Sequence, residues 1–99
     1  MPLPARGVAA VAQARRDQKA WQPALSLWKE ALSLAPHNDD YRIGYIKTLA
    51  DARMDTLALQ EARQLVTKDP SPAHLQTLSC VWLRQGKSRD RRLAYTRAL

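Results

Sequence analysis

Ninety-nine residues make one small domain with a modest core and are too few for two. At 45% hydrophobic and 25% charged, the composition excludes a disordered tail, and the longest apolar run falls far short of the roughly 20 residues of a membrane span. The net charge of +7 excludes long-range attraction of cationic partners and favours acidic ones.

Gly is scarce, Phe is absent, and Ala, Leu, Gln and Arg abound, with no alternating β-branched run. That is helix-forming material. The breaks predict six helices, near 5–17, 21–35, 39–52, 55–67, 72–85 and 89–99. The first ends at the turn "RDQKA" (16–20). The second, "WQPALSLWKEALSLAP" (21–36), places bulky Trp28 four residues after Ala24 and three before Ala31, and Pro36 stops it. "APHNDD" (35–40) opens the third with Asp39 and Asp40 in the first turn, where anions complement the helix dipole. "ARMD" (52–55) separates the third from the fourth. "DPSP" (69–72) gives the fifth a Ser71 cap with Pro72 as first residue, where a missing N–H does no harm. Trp82, between Val81 and Leu83, and the lone Cys80 are expected in the core; Trp21, near a turn, is expected part-exposed. No positively charged leader precedes an apolar segment, and Met1 before "PLPAR" reads as an initiator ahead of an excised segment.

A repeat organises these helices. Pro36 and Pro70 are 34 residues apart, as are Ala24 and Ala58. A 34-residue helix–turn–helix period is that of tetratricopeptide repeats. With Pro36 at position 32, Ala12, Ala24, Trp28 and Ala31 fall at positions 8, 20, 24 and 27, which in that family are small, small, large aromatic and small. Small residues let two antiparallel helices approach, and the aromatic fills the gap against the next repeat. The expected fold is all-α: about three repeats, at 5–38, 39–72 and 73–99, in a right-handed superhelix and a single domain. In the second repeat Ile46 stands at the small position, and Ala62 and Leu65 partly exchange the large and small roles. The third is looser, and an end without a polar capping helix marks a piece of a longer array.

"LPARG", "AAVA", "WQPALSLWKEALSLAPHNDDYR", "TLADA" and "TLALQ", in this order along residues 3–66, are similar to the periplasmic tetratricopeptide region of the poly-β-1,6-N-acetylglucosamine (PNAG) exporters of the outer membrane, the PgaA/HmsH-type porins. The resemblance implies a non-catalytic periplasmic scaffold that guides a biofilm polysaccharide to a β-barrel pore and recruits the periplasmic deacetylase that trims it.

Enzyme chemistry finds little support in the residues. His37 and His74 have no ligand-like spacing with Cys80 and read as surface residues, so no metal or cofactor is expected. No glycine-rich phosphate loop exists, and Asp39 and Asp40 lack a second activated group. In the tetratricopeptide family, positions 2, 5, 9, 12 and 13 line the concave groove. Here these are Arg6, Ala9, Gln13, Arg16 and Asp17; Asp40, Ile43, Lys47, Ala50 and Asp51; then His74, Thr77, Val81, Arg84 and Gln85. The charged and amide members Arg6, Gln13, Arg16, Asp17, Asp40, Lys47, Asp51 and Arg84 are the candidate partner contacts. Tyr41 and Tyr45 are candidates for stacking on sugar rings, though positions 3 and 7 also suit packing between helices. Residues 84–97 are strongly basic, but no stacking aromatics interleave them, which argues against nucleic acid. A deacetylated glucosamine polymer is cationic, so polymer binding is expected to be weak. Two functions stay open: an enzyme-docking scaffold in polysaccharide export, and a tetratricopeptide adaptor that binds a peptide in its groove.

Overall fold

The structure, a computed structural model, describes residues 4–84. Helix α1 spans Ala5–Asp17, α2 Trp21–Leu34, α3 Asp39–Asp51 and α4 Asp55–Lys68. A fifth helix, α5, runs over 72–84, and no strand occurs among the described residues. The all-α expectation therefore holds, with the boundaries of α1 to α4 and the start of α5 within a residue of those read from the sequence. The expected sixth helix and most of the basic run lie outside the described residues.

Local chemistry sets each boundary. The Asn38 side chain caps α3 by accepting from the Tyr41 N–H at 3.2 Å, with Asp39 and Asp40 in the first turn. The Ser71 hydroxyl oxygen accepts from the His74 N–H at 3.4 Å, as its place before Pro72 suggests. Pro36 and Pro70 each follow the residue just past a helix end. The two short turns use a different device. At the end of α1, Lys19 N–H donates to the Arg16 carbonyl and Ala20 N–H to the Arg15 carbonyl, both at 2.9 Å. After α3, Arg53 N–H donates to Ala50 at 3.1 Å and Met54 N–H to Leu49 at 2.9 Å. Both are Schellman motifs, and each puts a non-glycine residue in the left-handed region: Lys19 at φ 61° and Arg53 at φ 62°. These two residues are themselves 34 apart, so the sequence period recurs in the backbone.

Consecutive helices pack in order, α1 on α2, α2 on α3 and α3 on α4, and α1 also touches α3. The seams carry the small residues: Ala12, Ala24, Ala31, Ala58 and Ala62 have no exposed surface. Ile46 and Leu65 are equally buried, so the second repeat fills its core with exchanged sizes. Trp28 is 5% exposed and sits on α3. A Cβ on Gly44 would lie 2.5 Å from its ring, so the absent side chain at 44 makes the space for the indole. Tyr41 flanks the same ring, with centroids 6.5 Å apart at 44°. Large-against-small alternation is thus an intermeshing of the first and second hairpins, as expected for Trp28. The matching Gly44 was not anticipated.

Two core expectations in α5 fail. Trp82 is 57% exposed, and Cys80 is exposed as well. His74, Thr77, Leu78 and Val81 face the core, at helical spacing. Residues adjacent in sequence point about 100° apart on a helix. Apolar neighbours at 81 and 83 therefore say nothing about Trp82.

Candidate functional site

The first helices of successive hairpins, α1, α3 and α5, share one face, and its charges are organised. At the end of α1, Arg16 Nε donates to Asp51 Oδ2 at the end of α3, at 2.9 Å. Arg84 of α5 donates to the other oxygen, Oδ1, of the same carboxylate. One carboxylate thus ties together the ends of α1 and α3 and a residue of α5. Burial pushes the Asp51 carboxyl up, but the hydrogen bonds from Arg84 and Arg16, with their charges, outweigh it and hold it below its ordinary value. The set of two guanidiniums and one carboxylate leaves one net positive charge.

The other expected groove residues divide into floor and rim. Ala9, Ala50, Thr77 and Val81 are buried and form seams between helices, so they are not contact surface. Ile43 is half-buried. Arg6, Asp17, Asp40 and Lys47 are exposed. Gln13 is half-buried and donates to Asp17 at 3.0 Å, one helical turn on. Gln85 lies outside the described residues.

Of the two tyrosines, Tyr45 is 7% exposed and belongs to the core. Its hydroxyl titrates above the ordinary tyrosine value, through burial first and the nearby Glu61 second, against the opposing charge of Arg42. Its ring faces are not open to a sugar, and only half-buried Tyr41 keeps part of a ring accessible. Across the second hairpin, Arg42 of α3 pairs with Glu61 of α4 at 3.3 Å.

His74 corrects the surface reading: it is 4% exposed. Its Nδ1 lies 2.7 Å from the Asp69 carbonyl and its Nε2 3.7 Å from Asp39 Oδ2. The Asp69 contact is local, five residues away, but Asp39 reaches His74 only through the packing of α5 on the start of α3. His37 is exposed, as expected.

The chain is 44% identical over 97 residues to the poly-beta-1,6-N-acetyl-D-glucosamine export proteins of Escherichia coli strain K12 and Escherichia coli O157:H7. It is a homologue of one region of that export protein. The match covers 98% of this chain and 12% of each relative, so the chain spans about an eighth of their length. The name those relatives carry is that of an export protein, not of an enzyme. No family model matches the chain. No solved structure matches it either. Among the described residues, no helix is long and apolar enough to cross a membrane.

Proposed function

We propose that this chain is a periplasmic tetratricopeptide-type scaffold in PNAG export, which docks the periplasmic deacetylase and passes the polymer toward an outer-membrane pore. The similarity to the export proteins carries this reading, since it extends over nearly the whole chain. The α1–α3–α5 face supports a docking role in particular. Its buried floor and its Arg16–Asp51–Arg84 link fix the helix ends, while Arg6, Asp17, Asp40 and Lys47 on the rim stay accessible to a protein surface. With a net charge of +7, the chain repels a deacetylated, cationic polymer at long range. Contact with the polymer is therefore brief and the enzyme is the tighter ligand.

Titrating the chain with the purified deacetylase, and separately with acetylated and deacetylated glucosamine oligomers, tests this. Saturable binding of the enzyme with weak binding of oligomers is expected. Binding of neither sinks the scaffold reading and leaves the peptide-adaptor alternative. Hydrolysis of N-acetylglucosamine oligomers by the pure chain, lost in Asp40→Ala, would overturn its non-catalytic character.

A further inference from the structure

His74 is buried with its two ring nitrogens in different settings. Its side chain is 5% exposed in the first turn of α5. Nδ1 is 2.7 Å from the backbone carbonyl of Asp69. A carbonyl oxygen only accepts, so Nδ1 carries the proton and donates it. In the neutral ring, Nε2 is then a bare lone pair. It faces Asp39 Oδ2 at 3.7 Å, beyond hydrogen-bond reach, and makes no hydrogen bond among the described residues. Two acceptors that face each other in this way need a donor or a cation to satisfy both, and a second carboxylate beside them favours the cation.

The Asp69 carboxylate completes the group. One ligand atom from each of Asp39, Asp69 and His74 lies within 4.8 Å of the others. Asp39 is the first residue of α3 and Asp69 the C-cap of α4, so the three come from separate elements. The chain has 16 Lys and Arg. Even so, among the described residues none forms an ion pair with Asp39 or Asp69.

We propose that Asp39, Asp69 and His74 bind one divalent transition-metal ion of the zinc type, through His74 Nε2 and the two carboxylates, with water completing the coordination. Donation of Nδ1–H to a backbone carbonyl is the arrangement that orients metal-bound histidines and fixes their tautomer. Bonds of about 2.0–2.2 Å from nitrogen and oxygen let one ion bridge groups at the separation of Nε2 and Asp39. An imidazole beside two carboxylates suits zinc, iron or nickel better than magnesium, which prefers an all-oxygen shell. The bound ion neutralises both carboxylates and fastens α5 to the start of α3 and the end of α4. It thereby fixes the seam between the second hairpin and α5.

The 99-residue chain, stripped with a chelator, is titrated with zinc chloride and, as a control, magnesium chloride. Calorimetry, nitrogen NMR of the His74 ring and the thermal midpoint are followed. Zinc is expected to bind at one ion per chain, shift the Nε2 resonance while Nδ1 stays protonated, and raise the midpoint, whereas magnesium does none of these. Asp39→Asn and Asp69→Asn are expected to weaken zinc by about tenfold or more. Asp69→Asn keeps the backbone carbonyl and changes an exposed side chain, so its metal-free midpoint stays at wild type. His74→Ala is read only for binding, because it alters a buried site. No zinc uptake, or an unmoved Nε2, overturns the proposal. Zinc uptake undiminished in both Asn variants also overturns it and places the ion elsewhere.

Discussion

Arg16 and Asp51 stand 35 positions apart in sequence and meet at 2.9 Å, joining the C-terminal ends of α1 and α3. Both side chains are mostly covered, at 22% and 17% exposed. Arg84 completes the link from α5 but is itself 54% exposed. The three partners are therefore unequal. Asp51→Asn leaves two guanidiniums facing each other without their carboxylate, and is expected to cost about 1–3 kcal/mol. Arg84→Ala removes a solvent-screened contact and is expected to cost less than about 1 kcal/mol. Equal losses in urea unfolding would show that the carboxylate does not organise this face.

The same carboxylate gives a signed pH dependence. Its folded value lies below the unfolded one, so the unfolded chain takes up the proton first as pH falls. The stabilisation is complete above the ordinary carboxylate range, near about pH 4, and is lost as pH drops through the lower folded value. The stability gap between wild type and Asp51→Asn should thus be constant from neutral pH down to that range and close below it. A gap that closes already between pH 7 and 5 contradicts the assignment.

Trp28 and Gly44 make a second testable pair. Trp28→Ala empties a buried site and is expected to cost about 3–5 kcal/mol. Gly44→Ala drives a Cβ into the indole, at 2.5 Å from its outermost ring carbon and 2.6 Å from the next. It is expected to cost about 1–3 kcal/mol through overpacking. Those atoms belong to the part of the indole that phenylalanine lacks. Trp28→Phe should therefore relieve Gly44→Ala, and the double mutant should be less damaged than the sum of the singles. Strict additivity in thermal unfolding would mean the two residues do not share that space.

Lys19 and Arg53 hold left-handed backbone that costs a side-chain-bearing residue about 1 kcal/mol or more. Lys19→Gly and Arg53→Gly are each expected to raise stability by a few tenths to about 1 kcal/mol, the greater freedom of unfolded glycine offsetting part of the gain. The sites are in separate turns, so the effects should add. Destabilisation by both would show that these side chains contribute contacts that outweigh the backbone strain.

The helix hairpins were legible because prolines, caps and alanine spacing are local signals repeated at a fixed period. Trp28 was legible for the same reason, since its size stands out against Ala24 and Ala31. Its partner Gly44 was not, because the space for one side chain is set by the approach of another helix. The groove positions were found by register, yet register could not tell that Arg16, Asp51 and Arg84 would consume one another's charge. Register did admit Tyr45 as a packing residue at position 7, and that is the role it takes. His74 was misread because its burial depends on packing against α3, and the nearby Asp69 alone does not reveal that. Trp82 was misread for a simpler reason: its neighbours in sequence are not its neighbours on the helix.

The last prediction separates docking from folding on the charged face. Arg16→Glu reverses a half-buried guanidinium that holds Asp51, so it disturbs the helix ends as well as any partner contact. Lys47 is exposed on α3 and forms no ion pair among the described residues, so Lys47→Glu is the cleaner probe. It is expected to leave the unfolding free energy within about 0.5 kcal/mol of wild type, and to slow association with the deacetylase. Association steered by charge should slow further as salt rises, since exposed charges act over only about 8 Å at physiological ionic strength. Reversal of Arg91 and Arg92, outside the described residues and in the expected outer helix, should matter less. Titration of each variant at two salt concentrations decides between the faces. If Lys47→Glu is silent while the Arg91 and Arg92 reversals abolish binding, the enzyme docks away from α1, α3 and α5. The scaffold role then survives on another surface, with the Arg16–Asp51–Arg84 link serving only to hold the helices together.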